Sequence, residues 1–164
     1  MTPTTVPLRA DIAALLPRMR RFARIVCRSG DDADDLVQLA IERALKGGAQ
    51  WQADGRLDCA MLRLMVQARG DQLHGRERGE PAFAAEPAGS AAGEALQPDM
   101  AMLWAVARLN EAERMVIGLV LVDGLSYQAA AQVLEIAPAA LGGRLLRARD
   151  ALQRRLSEQA REMP

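Results

Sequence analysis

Residues 123–152 read DGLSYQAAAQVLEIAPAALGGRLLRARDAL, and their punctuation decides the fold. Asp123-Gly124 is a turn signal, and Ser126 stands where an N-cap is wanted for a helix running to Leu134. Glu135-Ile136-Ala137 makes a tight connection, after which Pro138 opens a second helix, its missing N–H being one that a first turn leaves unbonded anyway. In that longer helix Leu141, Leu145, Ala148, Leu152 and Leu156 share one stripe. Arg144, Arg147 and Arg149 follow its entry turn, with Arg154 and Arg155 further on. Two helices joined by three residues, the second longer and arginine-bearing, make a helix-turn-helix. The same pattern also fits a plain helical hairpin with a solvated basic face.

Working outward, Leu103, Val106 and Ala107 keep helical spacing from Asp99, and Leu109-Asn110 breaks it. Residues 115–122, MVIGLVLV, fit a buried strand on pattern alone, but no other strand candidate exists to pair with them, so a helix is expected over 111–122. Near the N-terminus, Pro7 opens a helix whose apolar stripe is Leu8, Ile12, Leu15, Met19, Phe22 and Val26, with Ser29-Gly30 ending it. Asp31 and Asp32 suit the start of a second helix, where carboxylates meet free N–H groups; its stripe is Val37, Ile41, Ala44 and Leu45, stopped by Gly47-Gly48. After a loop over 49–56 carrying Trp51, a third helix runs over 57–78 with Leu57, Met61, Leu64 and Ala68 on one face. Residues 80–98 lose all periodicity to Gly, Pro, Ala, Glu and Ser, the composition of a flexible linker. The expected fold is therefore all-α: two small helical domains, residues 1–79 and 99–164, joined by a linker over 80–98.

Half of the 164 residues are hydrophobic, enough for a core, yet only five are aromatic, so that core must be aliphatic. No apolar run nears the roughly 18 residues that cross a bilayer, and a basic-then-apolar leader is lacking, so the expectation is a cytoplasmic protein with no signal peptide. Cys27 and Cys59 are read as free thiols; with His74 the only histidine and no ligand-like spacing, neither a metal nor another cofactor is expected. No nucleophile–base pair can be placed and Gly142-Gly143 is not a phosphate loop, so neither an enzyme nor a small-molecule substrate is expected. The formal net charge is zero, which argues against tight DNA binding by bulk charge. Residues 1–79 carry 13 basic and 10 acidic groups, residues 80–100 none and 4, and residues 101–164 carry 8 and 7, so the acid is concentrated in the middle.

The order of pieces carries more. Leu109-Asn-Glu-Ala-Glu-Arg-Met-Val-Ile, Asp123-Gly-Leu-Ser-Tyr-Gln-Ala-Ala-Ala and Arg144-Leu-Leu-Arg-Ala-Arg-Asp-Ala-Leu152 resemble region 4 of bacterial sigma factors of the extracytoplasmic-function (ECF) group. Phe22-Ala-Arg, Asp32-Ala-Asp-Asp-Leu-Val-Gln38 and Glu42-Arg-Ala-Leu45 resemble region 2 of the same group. Within it the chain is most similar to the general-stress sigma factors of alphaproteobacteria and related sigma-like domains. The resemblance implies two partners, core RNA polymerase and promoter DNA, and a third, an anti-sigma factor. It places Asp34, Asp35, Leu36, Gln38 and Arg43 on a helix facing the polymerase clamp, positions that otherwise read as the polar side of an amphipathic helix. It places Trp51 in a loop that holds a flipped −10 base, where an aromatic ring gives a stacking face; the ring would equally well close the core. Arg69, Arg76 and Arg78 are the basic groups it assigns to the −10 region, and Ser126, Tyr127, Arg144, Arg147 and Arg149 those it assigns to the −35 region.

The departures from the family fall on one kind of surface. A Gly-Thr-Val-Lys-Ser-Arg run usual at the start of the recognition helix is replaced by Ala139-Ala140-Leu141-Gly142-Gly143-Arg144, which removes hydroxyl and ammonium donors. An acidic pair usual after Ser-Tyr is Gln128-Ala129, an aromatic usual near position 60 is Ala60, and an Asn is replaced by Gln67. These losses thin the DNA-facing side while the apolar stripes stay whole. They keep open a second expectation, a sigma-like module that occupies an anti-sigma factor with little DNA binding.

Overall fold

The computed structural model describes residues 5–47, 56–77 and 98–162, and among them every regular element is helical. The first group comprises α1 (Thr5–Val26), α2 (Gly30–Gly47) and α3 (Leu57–Glu77). The second comprises α4 (Pro98–Ala107), α5 (Glu111–Ile117), α6 (Tyr127–Leu134) and α7 (Pro138–Glu162), with a π-helical turn, Gly118–Val122, extending α5. Trp51, Arg78 and the expected linker, apart from Pro98 in α4, lie outside the described residues.

In the first group Leu8, Ile12, Met19, Phe22 and Val26 of α1 meet Leu36, Val37, Ala40 and Ala44 of α2 and Met61, Leu62, Met65 and Ala68 of α3. Alanines at the helix contacts let backbones approach, and methionines fill what the scarce aromatics leave. Pro17 sits inside α1 and cannot donate to the carbonyl four residues back. In the second group Ala105, Leu109, Val116, Ile117 and Leu119 close on Ala130, Val133, Leu141, Leu145 and Leu152. The two cores are continuous.

Local details correct the reading of three boundaries and one stripe. α1 ends at Val26, and Ser29 belongs to the next helix, its Oγ accepting the Asp32 N–H at 3.1 Å. Asn110, read as a mere break, caps α5 reciprocally: its Oδ1 accepts the Glu113 N–H at 2.9 Å and the Glu113 carboxylate accepts the Asn110 N–H at 3.0 Å. The segment 111–122 is helical but widens after Ile117, where the Asp123 N–H donates to the Gly118 carbonyl at 2.8 Å. On α4 the buried positions are Ala105 and the following Leu109, whereas Leu103 and Ala107 face outward.

The helix-turn-helix forms as the sequence requires. Ser126 Oγ accepts the Ala129 N–H at 3.1 Å, starting α6. Glu135 ends it in the left-handed region (φ 55°), a conformation that costs a non-glycine residue about 1 kcal/mol or more. Gly142 and Gly143 remain inside α7.

Candidate functional site

Three arginines stitch the two groups together. Arg114 of α5 is 2% exposed and reaches across to cap α1: its Nε and Nη2 donate to the Val26 carbonyl at 3.0 and 2.8 Å, while Nη1 donates to the Leu109 carbonyl. The last carbonyls of a helix lack intrahelical donors and carry the negative end of its dipole, so a guanidinium there satisfies both. Burial pulls the Arg114 pKa below its ordinary value, against the pull of Glu111.

Arg69 of α3 is 3% exposed and forms a forked pair with Glu111 of α5, Nε to Oε1 and Nη2 to Oε2, each at 2.9 Å. Its Nη1 donates to Gln72 at 3.2 Å and lies 3.9 Å from Asp32. Burial opposes the charge on Arg69, and hydrogen bonding to Glu111 together with the nearby charges of Glu111 and Asp32 outweighs it, so its pKa is raised. Arg18 of α1 donates from Nε to Asp123 at 2.9 Å and from Nη1 to Asp58 at 2.8 Å. Partial burial works against the Asp58 charge, but hydrogen bonds from Arg56 and Arg18 bring its pKa down to about 2. At the centre Gly118 admits the Phe22 ring: a Cβ there would stand 3.1 Å from two ring carbons. Gln67 of α3 donates to Glu135 after α6 at 3.5 Å.

On another side, a groove of about 1030 Å³ opens between α1 and the second group. Ile25, Leu103, Val106 and Val122 give it apolar walls, and Arg20, Arg21, Arg24, Arg28, Arg108 and Arg155 give it charge. No carboxylate lines it among the described residues. Leu103 is 61% exposed and lines the groove with Ile25, Val106 and Val122. Arg108 lies over the Trp104 ring, 3.8 Å from its centroid.

The polar residues expected on α2 are distributed unequally. Asp34, Asp35 and Gln38 are exposed and Arg43 is half-buried, whereas Leu36 is fully buried in the core and has no surface to offer. Gln38 donates to Glu42 at 3.1 Å and Arg43 pairs with Asp71 at 2.7 Å. Among the residues expected to meet DNA, Ser126, Tyr127, Arg144, Arg147 and Arg149 are all exposed. Arg69 is not: its guanidinium is spent on Glu111 in this conformation, so the expected DNA-facing position is closed off. Arg76 lies within α3. Ala139 and Ala140 are exposed, and a Cβ at Gly142 would meet nothing within 4 Å, so the start of α7 is a smooth, donor-poor surface.

Arg114, Glu111, Arg18 and Asp123, which join the groups, carry no signal in the sequence that separates them from surface charges. No group of three or more His, Cys, Asp or Glu that could hold a metal occurs among the described residues, and none of their helices is long and apolar enough to cross a membrane.

Fold and surfaces together define a two-part helical protein with a helix-turn-helix in its second part. Residues 12–66 match the Sigma2 domain of PhyR, and residues 100–152 match region 4 of sigma-70. The ECF RNA polymerase sigma factor EcfG of Rhodopseudomonas palustris (strain TIE-1) is 30% identical over 154 residues, covering 92% of this chain and 85% of that protein. The ECF RNA polymerase sigma factor SigM of Mycobacterium tuberculosis is 29% identical over 141 residues, covering 85% and 71%. Among solved structures, the sigma factor RpoE of Bartonella quintana, in complex with the anti-sigma factor NepR, matches with a TM-score of 0.69 and 24% identity, covering 92% of this chain and 97% of that one. The chain belongs to the ECF family of RNA polymerase sigma factors.

Proposed function

We propose that this protein is a sigma factor that binds core RNA polymerase through its first domain, residues 1–79, and directs it to promoters with its second, residues 99–164. It acts by binding rather than by catalysis. The observation that carries the reading is the helix-turn-helix, with exposed Arg144, Arg147 and Arg149 along α7 where an arginine can reach a phosphate or a guanine edge. On α2, Asp34, Asp35 and Gln38 offer the clamp-facing polar surface. The arginine-lined groove between the domains suits an anti-sigma partner that presents an acidic amphipathic helix, its apolar side against Leu103 and Val106 and its carboxylates toward the arginines.

A second reading is favoured by one observation, the smooth surface of Ala139, Ala140, Gly142 and Gly143. On that reading the protein occupies the anti-sigma factor without reading promoters. Purified protein mixed with core polymerase, with complex formation and promoter-dependent transcription scored separately, decides between them. The first reading expects both signals. Polymerase binding without transcription, or no polymerase binding beside tight anti-sigma binding, supports the second.

A further inference from the structure

We propose that the ends of α1 and α4 and one face of α7 form a binding site for a nucleoside polyphosphate, its phosphates among Arg28, Arg108, Arg154 and Arg155 and its base in the adjoining groove. The site goes beyond the sigma-factor reading and does not depend on it.

Charge comes first. A pocket of about 360 Å³ lies beside the groove, and its walls carry those four arginines against two carboxylates, Glu113 and Glu158. Both carboxylates are occupied: Glu113 accepts the Asn110 N–H in the cap of α5, and Glu158 pairs with Arg155 at 3.2 Å. Among the described residues no ion pair holds Arg28, Arg108 or Arg154. Arg28 follows α1, Arg108 follows α4 and Arg154 sits on α7, so three separate stretches of chain bring like charges to one concavity. Such charges repel one another, and a bound anion removes that repulsion. Burial is the main cause of the lowered Arg114 pKa, and the positive charge of Arg28 adds to it. Arg108 is held over the Trp104 ring, so one phosphate donor is oriented before a ligand arrives.

Shape names the class of ligand. Arg28, Arg108 and Arg155 line both the pocket and the groove, which makes the two one depression with a polar end and an apolar end. The forked guanidinium matches phosphate oxygens. The groove offers Ile25, Leu103 and Val106 to a flat ring system, and its volume of about 1030 Å³ is that of a small-molecule site. A DNA duplex carries its phosphates along a convex rod and cannot bring them into a concavity, and an inorganic polyphosphate leaves the apolar end empty. The same groove serves the acidic helix of a partner, so nucleotide and helix cannot both fill it.

Calorimetric titration of the full chain in magnesium-free buffer tests this, with ATP and inorganic triphosphate as probes. ATP binds one to one and about tenfold more tightly than triphosphate, because only ATP covers the apolar end. Arg28→Gln with Arg154→Gln weakens both probes about tenfold or more. Both side chains are exposed, and urea unfolding checks that the fold is kept. Leu103→Ser weakens ATP alone, and judges the site by itself if the arginine pair does not fold. Arg9→Gln with Arg161→Gln removes the same charge outside the depression and leaves both affinities unchanged. A wild type that does not bind ATP, equal affinity for the two probes, or an equal loss in the two arginine pairs overturns the proposal. A duplex of random sequence that displaces ATP at equal phosphate concentration also overturns it, by showing a surface for the DNA backbone.

Discussion

Arg114 shows how much one side chain can hold. It fills a buried site and satisfies the carbonyls of Val26 at the end of α1 and of Leu109 between α4 and α5, so Arg114→Ala removes its packing and strands the Val26 carbonyl. The expected loss is about 3 kcal/mol of folding free energy, measured by urea unfolding. The two thiols differ in the same way. Cys27 is buried, and burial pushes its pKa up to about 11, so at neutral pH only about one thiol in ten thousand is ionised. A thiol reagent should label the half-buried Cys59 first and Cys27 only as the protein unfolds; equal rates would contradict the packing of α1 on α2 and α5. Asp58 carries the acid sensitivity. Its pKa is about 2, against an ordinary 3.8, so its contribution is whole above pH ~3.8 and is lost as pH falls toward 2. The stability difference between wild type and Asp58→Asn should therefore be largest near neutrality and shrink as pH falls through about 2. A difference that does not change with pH would place the effect outside the Arg18–Asp58 pair.

At the scale of elements, the apolar periodicity and the punctuation made the helices legible. Ser126 and Pro138 opened α6 and α7 where expected, since capping is a local interaction written in adjacent residues. Stripes failed where burial depends on distant neighbours: Leu103 has the spacing of a core residue on α4 but lines an open groove. Leu36 is buried in the core, and a motif letter cannot say whether a side chain points at a partner or inward. The polar seam was illegible for a related reason, because Arg69 and Glu111 stand 42 positions apart and nothing local links them. The smooth start of α7 yields a prediction of its own. Gly142→Ala should stabilise the protein by up to about 1 kcal/mol, because open space surrounds the added methyl and alanine favours the helix. Gly142→Lys with Gly143→Ser should raise DNA affinity and steepen its dependence on salt by roughly 0.9 in log–log slope for each phosphate gained. An unchanged slope would mean that this end of α7 stays away from DNA.

The whole molecule combines a preserved scaffold with a thinned DNA face and a self-made seam. Two helical groups, an arginine groove between them and exposed arginines on α7 are the surfaces that the molecule presents. The most direct measurement is reconstituted transcription: purified protein with bacterial core polymerase on a library of promoter fragments, with transcripts mapped to their start sites. The account predicts initiation that depends on the added protein and clusters downstream of a shared pair of sequence elements. Stable binding to polymerase with no such transcripts would contradict it.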